Sequence, residues 1–372
     1  MIVRSLLSNR ISGWSTISFC LILSVLMVAS CTITPPSIAT ETPDPIPVFS
    51  YYYIWFDTNS WNRAKADYPQ LGRYTSDDAD VMRQHIKWAK AAGINGFIVS
   101  WKNTDSLNRR LDQLVGIADQ ENFKLAIIYE GLDFDRNPLP TGQIGTGLDY
   151  FINHYASHSA FNMFGEPMII WSGTWKFTRD EVASVTQSRR TSLFILASEK
   201  NVQGYNRLAD LVDGNAYYWS SVNPDTFPGY AEKLTAMGEA VHANGGYWIP
   251  PASPGFDARM IGGTTVVDRK NGETLRTEMN VAYRSAPDVI GLISWNEFSE
   301  NSYIEPSQTY GDRYLQLLAN IRHLPNPSIT DFDSSEPGNT LNSFNLSQVA
   351  ALGMLGTLVC VALVVIFRRF KQ

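Results

Sequence analysis

The sequence predicts an α/β fold, a single (β/α)8 TIM barrel, and three observations support this prediction. Short apolar runs bounded by turn residues alternate eight times with amphipathic stretches between residues 48 and 324. That segment has the length of one such barrel, which is roughly 250 residues in typical cases. No run is followed by a glycine-rich dinucleotide or phosphate loop, so an open doubly wound sheet is the less favoured alternative.

The predicted strands are runs rich in Val, Ile, Leu and aromatic residues, which suits a parallel sheet covered on both faces. They cover residues 48–55, 96–101, 125–130, 168–173, 193–198, 215–219, 246–251 and 289–295. Between them apolar residues recur at helical spacing, as Val81, Ile86 and Ala89 do before the stop signal Gly93. The predicted helices cover residues 78–92, 107–123, 147–160, 179–188, 205–212, 228–244, 273–285 and 312–323.

Composition narrows the function classes. Hydrophobic residues make up 44% of the chain and charged residues 18%, which is typical of a globular protein rather than a disordered one. The net charge of −6 argues against nucleic acid as a partner. Cys20, Cys31 and Cys360 are the three cysteines, so the predicted barrel contains none, and the five histidines show no HExxH spacing. We therefore expect no metal and no organic cofactor.

The N-terminal residues 1–31 have the pattern of an export signal. Arg4 and Arg10 precede an apolar run over residues 17–29, and the sequence Val-Ala-Ser-Cys that ends at Cys31 resembles a bacterial lipobox. This predicts a lipidated Cys31. An ordinary signal peptide cut nearby and an uncleaved anchor are the alternatives. Residues 32–47 are proline-rich and indicate an extended tether.

The C-terminal residues have the pattern of a membrane anchor. Residues 325–348 are a polar linker, and residues 349–367 contain no charge. At about 1.5 Å per residue that stretch is long enough for a bilayer's hydrocarbon core, although a buried core helix is an alternative. The basic tail at 368–372 predicts a cytoplasmic C-terminus. We expect a cell-membrane protein with a single-pass C-terminal anchor in contact with membrane lipid and an extracytoplasmic barrel.

Acids and aromatic residues lie where the predicted strands end, which is where a barrel of this type carries its active site. They include Tyr52, Trp101, Glu130, Tyr218 and Asp257. Rings stack on the apolar faces of sugars, and acids act on hydroxyls and on the glycosidic bond. The pattern therefore predicts a polysaccharide or glycan as the substrate.

Two glutamates after the last predicted strand are the densest signal. Glu297 and Glu300 are three residues apart, so a bend after Phe298 would turn both towards the barrel mouth. A glycosidase needs one carboxyl that is protonated and one that is ionised, and burial together with mutual repulsion separates two such pKa values. Ion pairing of both acids with rim Arg or Lys is the structural alternative.

Several sequence blocks resemble glycoside hydrolase family 99, the retaining endo-α-mannosidases and endo-α-mannanases. The blocks are Tyr52-Tyr53-Ile54-Trp55-Phe56, residues 72–77, residues 92–101, Pro254-Gly255-Phe256-Asp257, and Trp295-Asn296-Glu297-Phe298-Ser299-Glu300 followed by Ile304-Glu305-Pro306. The last block is the most specific. A second similar family is glycoside hydrolase family 71, the α-1,3-glucanases, which share the barrel and an acid pair after a late strand.

The resemblance implies roles for these residues. Glu297 would be the base that deprotonates the sugar 2-hydroxyl, which attacks C1 to give a 1,2-anhydro sugar, and Glu300 would be the general acid and then the base for water. The implied substrate-binding residues are Tyr52, Trp101, Glu130, Tyr218, Asp257, Trp295, Asn296 and Glu305. Of these, Trp101 would stack on the sugar next to the cleaved one.

The chain departs from the family signature at three positions, which we expect to line the cleft. Phe298 replaces a Trp, Ser299 stands where mannose-active members often carry His, and Asn301 replaces a Gly. The expected function is an endo-acting α-glycosidase, with an α-mannoside favoured as substrate. The alternatives are an inverting α-1,3-glucanase, a transglycosylase, and a non-catalytic sugar-binding or cell-envelope assembly protein on the same barrel.

Overall fold

The computed structural model of the chain describes residues 46–327. The predicted signal segment 1–31 with Cys31, the apolar segment 349–367 and the tail 368–372 lie outside these residues, as do most of the predicted tether and linker. Within residues 46–327, no helix is both long and apolar enough to cross a membrane.

Parallel strands form one sheet whose order follows the chain around a barrel. The strands of this sheet are β1 (Val48–Tyr53), β2 (Gly96–Trp101), β3 (Lys124–Glu130), β4 (Met168–Ser172), β5 (Phe194–Ala197), β6 (Gly214–Ala216), β7 (Tyr247–Ile249), β8 (Pro251–Ala252) and β11 (Ile290–Leu292). Two further strands, β9 (Phe256–Asp257) and β10 (Val266–Val267), form a separate antiparallel pair. The order β7-β6-β5-β4-β3-β2-β1-β11-β8 puts the last strand beside the first. All eight predicted strands are present, with shorter bounds at most ends.

The seventh predicted strand is split in two at Pro250. Its first part, β7, pairs with β6, and its second part, β8, pairs with β11. Proline lacks a backbone N–H and cannot complete a ladder, although its carbonyl still accepts from the backbone N–H of Gly291 at 2.9 Å. The ring of strands is therefore nearly closed, in agreement with the predicted (β/α)8 barrel.

Helices follow most strands and cover the outside of the barrel. They are α1 (Ala79–Ala91), α2 (Asp105–Glu121), α3 (Thr141–His154), α4 (Arg179–Thr186), α5 (Val202–Asn206), α6 (Tyr230–Ala243), α7 (Glu273–Arg284) and α8 (Arg313–Ile321). Their starts follow local capping chemistry: the Asp78 carboxylate accepts from two backbone N–H groups of α1, and Thr178 and Glu181 form a capping box at α4.

The predicted helix over residues 147–160 is wrong in its bounds. Helix α3 begins six residues earlier, at Thr141, and a separate 3-10 helix covers Ser159–Phe164. The first turn of α3 contains glycines and no side-chain cap, so it has none of the usual helix start signals. Pro140 precedes the helix, where its restricted φ suits a helix start.

Two apolar cores lie on the two faces of the strands. Residues that point into the barrel, such as Tyr51 and Ile128, form the inner core, and residues that point towards the helices, such as Tyr52 and Trp101, form the outer one. Burial of one such large side chain contributes roughly 1.5–3 kcal/mol. Because neighbouring residues of a strand face opposite sides, the two cores decide which strand-end residues can reach a substrate.

Candidate active site

A cavity of about 700 Å³ opens where the barrel strands end. Its walls come from the segments that follow β1, β2, β3, β4, β6 and β11. Residues on these walls include Trp55, Glu130, Phe134, Trp175, Tyr218, Trp219, Glu297 and Glu300. The structure therefore brings together the two predicted catalytic residues and three of the predicted substrate-binding residues, Trp101, Glu130 and Tyr218.

The loop after β11 turns both glutamates into this cavity. Backbone hydrogen bonds between Ser294 and Ser302 and from Ser302 to the Glu297 carbonyl close the loop. The Ser294 hydroxyl also accepts from the backbone N–H of Glu297 at 2.9 Å. This return of the chain is the bend that the spacing of Glu297 and Glu300 requires.

The two glutamates have unequal environments. Glu297 is 7% exposed, and burial, followed by the charge of Glu300, raises its pKa to about 7. The Ser299 backbone N–H donates to its carboxylate at 2.9 Å, and nearby Lys65 also favours the ionised form. Burial raises the pKa of the half-buried Glu300, and the charge of Arg136 opposes that increase. Neither glutamate forms an ion pair with a described residue, so the structure does not support rim ion pairing as their role.

Two tyrosines and a third acid face the glutamates. The hydroxyl of Tyr53 is hydrogen-bonded to that of Tyr218, and the charges of Glu297 and Glu300 both act on Tyr53. Burial raises the pKa of Glu130, whose carboxylate accepts from the Ser100 hydroxyl at 2.9 Å. This arrangement offers hydroxyl and carboxyl groups to the hydroxyls of a bound sugar.

Trp101 borders the cavity, but its side chain is packed in the outer core, which differs from the expected stacking role. Its side chain is 0% exposed, and its indole N–H donates to the Asn108 side chain at 3.1 Å. The preceding residue of β2, Ser100, points to the opposite face of the strand and lines the cavity. Trp55, which is 42% exposed, is among the aromatic side chains that are open to a sugar in this cavity.

Tyr52 and Glu305 also lie away from the cavity. The Tyr52 hydroxyl is hydrogen-bonded to His85 Nδ1 at 3.0 Å, and His85 Nε2 is 3.0 Å from the Glu305 carboxylate. The Tyr74 hydroxyl donates to the other Glu305 oxygen at 2.8 Å. All four side chains are buried, so Tyr52 and Glu305 support the site and do not line it.

Asn296 and Trp295 likewise hold the catalytic loop in place. The Asn296 side chain accepts from the backbone N–H of Tyr53 at 2.9 Å and donates to the Tyr53 carbonyl at 3.0 Å. It also donates to the Tyr74 hydroxyl at 3.3 Å. Trp295 is 0% exposed and packs among outer-core residues such as Phe97. Asn296 and Trp295 therefore do not contact the substrate as expected but position the loop that does.

Asp257 supports the loop from the opposite side. Its backbone N–H donates to the Glu300 carbonyl at 2.7 Å. Its carboxylate pairs with Arg259 at 2.6 Å, and hydrogen bonds from that guanidinium lower the pKa of Asp257. The neighbouring Phe256 lines the cavity.

The three departures from the family signature lie behind the catalytic surface. Phe298 is 1% exposed and stacks on Tyr303, with ring centroids 3.9 Å apart. Asn301 has a φ of 51°, a left-handed conformation that glycine and asparagine tolerate best. Ser299 is half-buried and contacts Glu297. The expectation that Phe298 lines the cleft is therefore wrong, and only Ser299 touches a catalytic side chain.

Several cavity residues were missed by the sequence analysis. They include Tyr53, Trp55, Lys102, Arg136, Trp175 and Trp219. The strand-end position of Trp55 and Trp219 was a usable signal, whereas Arg136 lies in a loop without a pattern. In the described part of the chain, no group of three or more His, Cys, Asp or Glu could hold a metal ion.

A barrel whose mouth places a buried and a half-buried glutamate, both with raised pKa values, among exposed aromatic rings has the architecture of a glycoside hydrolase. The comparison with protein families agrees with this class. The model of glycosyl hydrolase family 99 matches residues 50–320, so the chain belongs to that family.

Individual relatives are distant. The chain is 25% identical over 282 residues to a mouse glycoprotein endo-alpha-1,2-mannosidase-like protein, covering 68% of this chain and 61% of the relative. A rat glycoprotein endo-alpha-1,2-mannosidase is 24% identical, with coverage of 67% and 59%. The chain thus spans about three fifths of the length of these relatives.

A solved structure has a similar fold. The GH99 endo-alpha-mannosidase from Bacteroides thetaiotaomicron, in complex with bis-tris-propane, is matched with a TM-score of 0.65 at 21% identity. The match covers 75% of this chain and 96% of that one. At this identity the likeness supports the barrel fold alone.

We predict that Glu305→Gln lowers the free energy of unfolding by roughly 1–3 kcal/mol, because an amide leaves a buried partner, His85 or Tyr74, without its acceptor. Glu121→Gln is the matched control. It changes a partly exposed pair with Arg83 at 3.0 Å and should cost less than about 1 kcal/mol. Urea denaturation midpoints measure both, and equal midpoints would contradict the stabilising role of the buried network.

We predict opposite effects for the two tryptophans. Trp101→Ala should destabilise the barrel by roughly 3–5 kcal/mol because it empties a buried site. Trp55→Ala should leave the denaturation midpoint nearly unchanged and raise KM for a cleaved glycan about tenfold, which corresponds to about 1.4 kcal/mol of lost contact. A raised KM for Trp101→Ala with unaltered stability would refute this placement.

Proposed function

We propose that this protein is an endo-acting hydrolase of α-linked mannosides. The observation that carries the proposal is the burial of Glu297 and Glu300 in one cavity, in the loop that matches the family's most specific sequence block. The names of the relatives, which include endo-alpha-1,2-mannosidases, favour mannose as the sugar. Exposed rings such as Trp55 and Phe134 support binding of several sugar units.

The proposed first step is attack by the substrate's own 2-hydroxyl. Glu297 takes the hydroxyl proton, the oxygen forms a bond to C1, and the glycosidic C–O bond breaks as Glu300 protonates the leaving oxygen. A base with a pKa near the working pH transfers protons effectively, and burial supplies that condition at Glu297. The product of this step is a 1,2-anhydro sugar.

The proposed second step opens the anhydro ring. Glu300, now ionised, takes a proton from water, and the water oxygen attacks C1 while Glu297 returns a proton to the 2-oxygen. Two displacements at C1 retain the anomeric configuration. The charge of Arg136 near Glu300 supports this role because it favours the ionised form that activates water.

We also propose that the protein acts outside the cytoplasm while attached to a membrane. Support comes from the sequence, which has an export-like N-terminus ending near Cys31, an uncharged stretch at 349–367 and a basic tail at 368–372. Membrane fractionation, followed by protease treatment of intact cells, tests this placement. Recovery of the full-length chain in the soluble fraction would contradict it.

We predict that the full-length protein releases oligosaccharides from α-mannan with the anomer retained, as read by NMR of the first product. Inverted product from an α-glucan would instead favour the family 71-like reaction. Binding without cleavage of any α-glycan would favour a non-catalytic sugar-binding protein.

Glu297→Gln and Glu300→Gln are the controls for this experiment. Each should lower kcat by several orders of magnitude, since each removes a proton transfer from the reaction, and general acid–base groups contribute about 10²–10⁴-fold each. Circular dichroism should show an unaltered fold. Near wild-type turnover in both variants would refute the mechanism.

We predict a bell-shaped pH profile of kcat/KM, because the pair is active when it holds one proton. Activity should fall above about pH 7, where the pair loses its last proton and Glu300 can no longer act as the general acid. Lys65→Gln removes a positive charge that favours ionised Glu297, so the alkaline limb should move to higher pH. Lys87→Gln, on the exposed side of α1, is the matched control. A shift to lower pH in Lys65→Gln would contradict the assignment.

A further inference from the structure

One side of the cavity mouth carries basic side chains, of which the proposed mechanism uses only the charge of Arg136 beside Glu300. Lys102 follows β2, Arg136 follows β3, and Lys200 follows β5. Lys102 and Arg136 line the cavity, and Lys200 Nζ lies over two rings of its wall. These segments come from the strands around β3 and β4, away from β11, whose loop carries the catalytic pair.

Lys200 is held on an aromatic platform. Its Nζ lies 4.5 Å from the ring centroid of Trp175 and 5.0 Å from that of Trp219. The two rings are 4.8 Å apart, and both are half-buried in the cavity wall. A sugar that binds against this wall of the cavity would therefore have an ammonium group beside it.

Lys102 and Lys200 contact aromatic rings, but the basic side chains form no ion pair with a described carboxylate. Burial lowers the pKa of Lys200, and the charges of Arg136 and Lys176 lower it further. Over residues 46–327, no ion pair joins Lys102, Arg136, Lys176 or Lys200 to a carboxylate. An arrangement of like charges is unfavourable on its own, and a bound anion relieves it.

The nearby carboxylates offset the charge of this cluster only in part, through Glu130 and Asp133 near Lys102 and Glu199 near Lys200. Glu199 pairs with Arg207 at 3.3 Å. Burial raises the pKa of Glu130, which favours its neutral form. Asp133 lies near Lys102 and accepts from the backbone N–H of Asn137 at 2.8 Å. Asp135 is exposed on the same loop as Arg136.

We propose that Lys102, Arg136 and Lys200, together with the rings of Trp175 and Trp219, form a subsite for a sugar that carries a negative charge. The substrate is then an acidic α-linked glycan that bears carboxylate or phosphate groups. Charge-assisted hydrogen bonds from ammonium and guanidinium groups suit both anions. This inference rests on the proposed function for the reaction, but the subsite itself is tested by binding.

The test compares one neutral α-linked manno-oligosaccharide with its C6-carboxylate and C6-phosphate forms. Calorimetry with the full-length protein gives the dissociation constants, and product release gives kcat/KM. We expect at least one acidic form to bind about tenfold more tightly than the neutral one, the advantage of one good charge-assisted contact. That advantage should shrink as salt concentration rises.

Substitutions locate the effect. Lys200→Gln should remove most of the preference for the acidic form while leaving binding of the neutral form unchanged. Arg136→Gln should also remove most of the preference, and it additionally changes the charge beside Glu300. Lys87→Gln, an equally exposed lysine on α1, should change neither.

The outcomes separate this inference from the proposed function. Cleavage of neutral and acidic forms with equal efficiency would overturn the subsite while supporting the hydrolase. Tighter binding of an acidic form without cleavage would support the subsite and contradict the hydrolase. A preference that persists in both Lys200→Gln and Arg136→Gln would overturn the inference, because the charge recognised would lie elsewhere.

Discussion

The side chain of Asn296 joins the loop after the last strand to the end of the first strand, and the geometry of the site depends on that join. Its amide bonds both the N–H and the carbonyl of Tyr53. Glu297 is the next residue in the chain, and Tyr53 carries a hydroxyl that faces both glutamates. A single buried amide therefore sets the position of the base relative to a substrate-facing hydroxyl.

A buried polar network supports this join. The chain of contacts from Tyr52 through His85 to Glu305 leaves neither ring nitrogen of His85 unpaired. Burying such groups costs several kcal/mol unless their hydrogen bonds are satisfied, and here the Tyr74 hydroxyl pairs the second oxygen of Glu305. The network also contacts Asn296 through Tyr74, so it holds both ends of the catalytic loop.

The electrostatics of the cavity follow from its shape. Burial raises the pKa values of Glu130, Glu297 and Glu300, which favours the neutral form of each acid. Lys65 and Arg136 oppose that trend near the reaction centre. Burial that disfavours negative charge on these acids, beside a basic rim, is compatible with an anionic sugar, which ionised acids would repel.

The sequence by itself determined the barrel, because apolar runs and capping signals are local. It also predicted that Glu297 and Glu300, which lie close together in one motif, share the barrel mouth, and both line the cavity. It could not place Tyr52, Trp101 and Glu305, since a strand end offers alternate residues to opposite faces and only the packed sheet decides which face is the cavity. The position of Arg136 could not be predicted either, because its loop has no sequence pattern. Its charge acts on Glu300 and Lys200, which are distant in the sequence. Local chemistry is encoded along the chain, whereas exposure and charge environment arise only when separate strands meet.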